Sequence, residues 1–293
     1  MLTGTSTDDN QLMGNYLPLS PPRRIIADLV HFAKRVPSVP VEKKMDLSTL
    51  AAARRQAPLR IGWPTLFIKA FALTALTWPQ LRRAYLSWPW PRLYEHNYSV
   101  ASVAIEREFH GESAVFFAHV HGPEFQSLPQ IEAHLRRCKE ARLEELGLFR
   151  RALMIGRLPG PIRRFMWWHT LEWSGIKRAK RLGTFGFSTY ASLGASSLHP
   201  LSPLTTTLNY GVFDANGQIV VRLIYDHRVM DGATVARALV TLEQVLGHEI
   251  LEEIQHMKGT TVLSSAPRSL AQARRWRANE GANPDGHELL ANR

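Results

Sequence analysis

Acidic residues are in short supply: 25 Asp and Glu stand against 36 Lys and Arg in 293 residues, a formal net charge of +11. Such a surplus favours anionic partners, whether nucleic acid, anionic lipid or a phosphorylated small molecule. Cysteine is nearly absent. Cys138 stands alone, so no intrachain disulfide can form and a reducing compartment is expected. It lies in the charged helical stretch IEAHLRRCKEARLEEL, where an inert thiol fits better than a reactive one. No apolar run reaches the length of a membrane span. The opening MLTGTSTDDNQLMGNYLPLS has no basic region leading into an apolar core, so it is not expected to act as a signal peptide. These absences point to a cytoplasmic protein, with attachment to a membrane surface still open. Glycine-rich nucleotide loops, clustered zinc ligands and helix-turn-helix or RNP patterns are missing too, which argues against NAD, ATP and nucleic acid. His119 and His121 share one strand face, but two ligands do not make a metal centre, and no metal is expected.

The rest of the composition is ordinary. Hydrophobic residues are 45% and charged residues 21%, enough for a sizeable core in one large domain or two small ones. Residues 1–21 read as a flexible arm, residues 22–262 as the folded domain, and residues 263–293, rich in Ala, Arg, Asn, Gly and Ser, as a disordered tail. Within the domain RRIIADLVHFAKR (23–35) has helical spacing behind prolines, VPSVPVEKKMDL (36–47) reads as extended, and STLAAARRQA (48–57) as helix. WPTLFIKAFALTALTWPQLRRAY (63–85) is apolar nearly all round, the mark of a buried helix. YSVASVAIERE (98–108) and ESAVFFAHVH (112–121) form a predicted hairpin, followed by an amphipathic helix over 128–146. GTFGFSTYASL (183–193), TTTLNYGVFDANG (205–217) and GQIVVRLIYDHR (217–228) read as strands, with DANG as a turn, and GATVARALVTLEQVLGH (232–248) as a helix. Helices and strands follow no regular βαβ alternation, which predicts an α+β fold with a mixed or antiparallel sheet.

The stretch LIYDHRVMDGATVARALV (223–240) runs from a strand through a polar turn into a helix. His227 stands at that junction, where a rigid scaffold can present a side chain to a cleft. A neutral imidazole there can take a proton from a hydroxyl or thiol that attacks an acyl carbonyl. Asp231, four residues on, can orient the ring or pair with a cation to fix the loop. On its own, H-x-x-x-D-G fits a structural turn histidine better than a catalytic one.

DHRVMDG resembles the DHRxxDG signature of the dihydrolipoamide acyltransferases, the core subunits of 2-oxoacid dehydrogenase complexes. Chloramphenicol acetyltransferase, of the same fold, carries a shorter H-x-x-x-D-G. Four further segments are similar to that family in the same order: RRIIADLV, VPSVPVEKKMDLSTL, PTLFIKAFALTALTWPQLRRAY and GTFGFST, so that the resemblance spans roughly residues 23–255. It implies a chloramphenicol acetyltransferase-like two-layer α+β sandwich that forms trimers, with active sites at the subunit interfaces. It implies coenzyme A as acyl carrier, His227 as general base, and Ser188 as donor to the oxyanion. Asp231 and Gly232 complete the motif, with Arg23 as the expected partner of Asp231. No acyl-enzyme is implied, and GFSTY lacks the closing glycine of a nucleophile elbow.

Departures from the pattern shape the functional expectation. The 21-residue arm is too short for a lipoyl domain or a subunit-binding domain, and the family's GLVVPVI-type strand is replaced by SAVFFAHVHG. The loop before GTF is expanded into residues 147–182, with nine Lys and Arg, a single acid (Glu172) and five Phe and Trp rings. Such a segment suits a membrane interface or a lid over a greasy acyl chain, with Trp167, Trp168, Arg163 and Arg164 as contacts; it suits equally a helical pair that packs its rings inward. Three functions follow. One is a stand-alone acyltransferase moving an acyl group from acyl-coenzyme A to a hydroxyl, amine or thiol. Another is a dihydrolipoamide acyltransferase core served by a lipoyl domain in trans. The last is a non-catalytic trimeric scaffold or membrane-binding protein.

Overall fold

The computed structural model describes residues 15–257. The first fourteen residues of the expected arm and the whole of the expected tail lie outside the described residues. The chain begins its regular structure at α1, Pro21–Ala33, where Ser20 caps the helix by accepting from the Arg23 N–H at 3.4 Å and two prolines fill the first turn. β1 (Ser38–Asp46), α2 (Ser48–Arg55) and α3 (Trp63–Thr77) follow. Then come β2 (Arg83–Leu86), β3 (Arg92–Glu95), β4 (Val100–Phe109), β5 (Glu112–His121) and α4 (Leu128–Glu140). The expanded segment forms α5 (Gly147–Gly156), α6 (Gly160–Glu172) and α7 (Gly175–Leu182). The domain closes with β6 (Phe185–Phe187), β7 (Thr206–Tyr210), β8 (Gln218–Asp226), α8 (Gly232–Gly247) and α9 (Glu249–His256).

Six strands form one mixed sheet in the order β1-β8-β7-β6-β4-β5, with β6 parallel to both neighbours and the other pairs antiparallel. The expected α+β architecture is therefore present. The β4–β5 hairpin turns on His110 and Gly111, at φ 51° and 79°, as a tight two-residue connection requires. α3 is buried nearly all round, as its composition predicts. Phe71 packs on Phe185 (4.4 Å between centroids) and Phe67 on Tyr210 (4.5 Å), against one face of the sheet. Its one cation, Lys69, is neutralised by Glu253 of α9.

Three boundaries differ from expectation. α3 stops at Thr77 because Pro79 cannot continue it, and the chain turns into a separate β2–β3 hairpin that the Trp/Pro-rich sequence conceals. The run at 183–193 yields only three strand residues, since Ser188 makes its last sheet bond to the Leu208 carbonyl (3.2 Å) and a helical turn follows. The amphipathic helix from Leu128 ends at Glu140, short of 146.

α1 and α6 cover the opposite face of the sheet, and α5 closes its β5 edge, where Phe149 packs on Phe116 of the main core at 5.0 Å. What fastens α1 to α6 is ionic. Arg163 of α6 donates through Nε to Asp28 of α1 at 2.7 Å and through Nη1 to the Leu158 carbonyl at 2.7 Å, and both charged residues are buried. Arg163 was an expected surface contact; it is instead an internal strut, because the Asp28 carboxylate would otherwise be buried without compensation. Trp167 is likewise internal, stacked on Phe32 at 6.0 Å. Arg163→Met should lower unfolding stability by about 3–5 kcal/mol in urea titration, because it strands a buried carboxylate. Asp28→Asn combined with Arg163→Met should be less destabilised than Arg163→Met alone.

Candidate active site

β8 delivers His227, and a clamp makes the residue project. Asp226, 1% exposed, ends the strand and accepts from three N–H groups of Arg228: its backbone N–H at 3.0 Å, Nε at 2.9 and 3.2 Å to the two oxygens, and Nη2 at 2.7 Å. The Arg228 guanidinium lies over the Tyr85 ring at 4.3 Å. With residues 226 and 228 locked to each other, the intervening side chain turns outward. The His227 N–H donates to the Pro37 carbonyl at 3.1 Å, its ring lies 5.5 Å from Tyr225, and half of its side chain is exposed. Asp231 occupies the N-cap position of α8 without using its carboxylate as a cap. That carboxylate is free to stand 3.8 Å from His227 Nδ1. The separation is too long for a hydrogen bond, and the Asp231 side chain is 83% exposed. Gly232 gives Tyr225 room: a Cβ there would stand 3.3 Å from the tyrosine hydroxyl.

A second arginine backs the clamp. Arg178 of α7 is buried and donates to the carbonyls of Tyr85 (3.1 Å), Leu171 (3.3 Å) and Pro203 (2.9 Å). Burial pulls it down to about 10, offset by the nearby Glu172 and Asp226 charges, so it stays a cation at neutral pH. Asp226, Arg228 and Arg178 were missed as support residues. The D-x-R spacing across His227 was the available signal; nothing in sequence points to Arg178.

Arg23 does not serve Asp231. Its Nε lies 3.4 Å from Glu112, the first residue of β5. Arg23 stands at the N-terminal end of α1 beside β5, at one edge of the sheet, whereas β8 lies next to the other edge.

Ser188 follows β6, half-buried, and lines a chamber of about 360 Å³ between the sheet and α1, α5 and α6. His227 does not line that chamber. The register sets Gly186 opposite Thr207 and Thr206 opposite Tyr225. Continued by a residue or two, it places Ser188 and His227 two strands and about five residues apart, roughly 15–20 Å. One chain therefore presents His227 toward one end of its sheet and Ser188 toward the other, and does not bring the two together. Of the remaining candidates, Trp167 lines the chamber, Arg164 is exposed, and Trp168 joins a surface cluster with Trp88 (6.0 Å), Trp173 (6.4 Å) and Phe165 (5.9 Å). Among the described residues no group of three or more His, Cys, Asp or Glu is arranged to hold a metal, and no helix is long and apolar enough to cross a membrane.

No family model and no curated protein matches the sequence. Solved structures do match the fold. A probable dihydrolipoamide acetyltransferase from Listeria monocytogenes shares 17% identity at a TM-score of 0.58, over 80% of this chain and 94% of that one. A catalytic core of the 2-oxoacid dehydrogenase complex from Thermoplasma acidophilum shares 17% at 0.59, over 80% and 99%. A dihydrolipoamide acetyltransferase from Azotobacter vinelandii, in which a serine, a histidine and an asparagine were investigated for their catalytic role, shares 18% at 0.58, over 85% and 98%. The chain thus has the fold of these acyltransferase cores, as the resemblance in its motifs implies.

Buried titratable groups near the sheet set a pH dependence. Burial, helped by neighbouring cations or imidazoles, pulls His96 and His119 down to about 4, while burial pushes Glu124 up to about 7. Between about pH 4.5 and 6.5 the unfolded chain gains protons at both histidines that the native state refuses, whereas the native state keeps one proton on Glu124. Stability should therefore fall on acidification across that window. His119→Phe should flatten the fall by up to about 1.4 kcal/mol per pH unit, and Glu124→Gln should steepen it, in urea midpoints taken from pH 4.5 to 7.

Proposed function

We propose that the chain is an acyltransferase that moves an acyl group from acyl-coenzyme A to a hydroxyl, amine or thiol. The observation that carries this reading is the clamped, outward-facing His227 with Asp231 at its Nδ1, on the fold of the dihydrolipoamide acetyltransferase cores. The histidine and asparagine studied in the Azotobacter protein are four residues apart, the spacing of His227 and Asp231. In the proposed reaction His227 Nε2 takes the acceptor proton as the acceptor attacks the thioester carbonyl. The carbonyl electrons move onto oxygen, the oxyanion accepts from the Ser188 hydroxyl, and collapse expels the coenzyme A thiolate, which recovers the proton from His227. A positioned donor to the oxyanion is worth about 3 kcal/mol. Arg151, Lys180 and Arg181 border the Ser188 chamber and suit the phosphates of the carrier.

The separation of His227 from Ser188 within a chain makes this a shared site: one subunit supplies the base and a neighbour supplies the chamber. A closed assembly of three copies, or a multiple of three, satisfies that need, with the neighbour docking over the half-exposed His227. Because the fold matches nearly the full length of cores from dehydrogenase complexes, a dihydrolipoamide thiol delivered by a lipoyl domain in trans is a second acceptor reading. A surface role also has support. Trp88, Trp173 and Phe165 are 45–62% exposed in one aromatic cluster beside Arg164, which fits peripheral contact with an anionic membrane on the cytoplasmic side. It relocates the expected contact from the buried Trp167 and Arg163 to rings that reach solvent.

His227→Ala should lower turnover by about 10²–10⁴ with the assembly intact by mass measurement. Ser188→Ala should lower kcat with little change in coenzyme A affinity. The two variants co-expressed should recover a fraction of wild-type activity, because some interfaces then pair an intact His227 with an intact Ser188. A monomeric species, or no recovery in mixed assemblies, would remove the shared site.

A further inference from the structure

The basic, aromatic segment 147–182 does two separate things. Arg163 and Arg178 are internal struts. Phe149, Leu153 and Trp167, all buried, instead line the chamber of about 360 Å³ together with Ile25 and Leu29 of α1, Phe149 also packing on Phe116 of the main core. The volume lies in the range of small-molecule sites, about 300–1,000 Å³. An apolar space of this size left empty deprives its lining of dispersion partners, and water there finds few hydrogen bonds. The lining therefore calls for an apolar occupant.

The floor is chemically different. Ser102 on β4, Ser188 after β6 and Thr207 on β7 present hydroxyls to the chamber, with His119 across from Ser102 in the β4–β5 register. Thr207 is 3% exposed and its hydroxyl has no hydrogen-bond partner in the fold. Gly186 leaves room beside that hydroxyl, because a Cβ at residue 186 would stand 2.8 Å from Thr207 Oγ1. A buried, unpartnered hydroxyl in an apolar chamber is a donor waiting for one polar atom. The cations Arg151, Lys180 and Arg181 border the same space. Hydroxyl donors on one floor, carbon on the facing wall and positive charge at the border specify a ligand with an anionic or carbonyl end and a long apolar remainder.

We infer that the chamber holds the hydrocarbon chain of a medium- or long-chain acyl group, its carbonyl at Ser188 and Thr207 and its chain between the sheet and α5–α6. The position of the carbonyl rests on the proposed role of Ser188; the binding of the chain does not. The acyl group can arrive as a thioester or as a free fatty acid, which share the chain and differ at the head.

Equilibrium binding to the full chain tests this, using coenzyme A, acetyl-, octanoyl- and lauroyl-coenzyme A, and laurate. Affinity should tighten by roughly two- to fourfold per added methylene until the chamber is full. Ala152→Phe, on α5, and Ala104→Phe, on β4, both place a ring in the chamber; each should abolish the gain from chain length and leave coenzyme A itself unaffected. Thermal unfolding identifies a variant that fails to fold, and the other then decides. Thr207→Val should weaken lauroyl-coenzyme A more than coenzyme A. His227→Ala should bind every ligand as the wild type does; if the wild-type chain binds them yet transfers no acyl group to any acceptor, the catalytic reading fails and the chain site stands. Affinity independent of chain length, or a chain-length gain that survives both filled variants, overturns the inference even where acetyl transfer is observed. Laurate binding as tightly as lauroyl-coenzyme A would retain the chamber and overturn the thioester as its ligand.

Discussion

The Asp226 carboxylate is the constraint on which the rest of the site depends. It is buried at the end of β8, grips Arg228 two residues on, and lies in the field of Arg178. A buried carboxylate is tolerable only with its charge compensated and its lone pairs filled. Meeting those demands fixes the turn that aims His227 and draws β2, α6 and the Pro203 loop together through Arg178. The catalytic candidate is thus positioned by its neighbours in sequence, and those neighbours are positioned by elements far from them in the chain.

Cationic charge in this protein has several separate functions. Lys69, Arg163 and Arg178 are internal, each compensated by carboxylates or carbonyls, and they join layers that apolar packing alone would leave free to slide. Arg151, Lys180 and Arg181 border the chamber. The sheet shows a similar division by face. Phe185, Leu208 and Tyr210 turn toward α3 and the main core, whereas Ser102, Gly186, Ser188 and Thr207 turn toward the chamber. The period-two alternation of a strand separates a packing face from a chemical face without any change of fold.

Local pattern made much of this legible. The prolines and Ser20 before α1, the all-apolar run of α3, the β-prone runs around the His110–Gly111 turn and the strand-turn-helix around His227 are short-range signals, and each produced the expected element. The shape of the DHRVMDG turn also follows locally, since an aspartate and an arginine two residues apart can close on each other across the histidine. Boundaries were less legible where tertiary contacts end an element, as at Ser188, and the β2–β3 hairpin was hidden because its strands are four residues each within a Trp/Pro-rich stretch.

By itself the sequence determined the α+β class, the identity of the turn histidine and the basic, aromatic character of residues 147–182, because these depend on residue types and near-neighbour spacing. Only the tertiary structure decided which charges are internal and which rings reach solvent. Arg163 and Arg164 are adjacent and chemically identical, yet one faces Asp28 and the other water; Trp167 is buried on Phe32 while Trp168 is only half-buried. The partner of Arg23 was likewise decided by strand order, which places Glu112 beneath α1 and Asp231 near the far edge. A helix assigns opposite surroundings to consecutive residues, since each step turns the side chain by about 100°. Which of the two meets a buried carboxylate depends on packing between elements separated by more than a hundred residues.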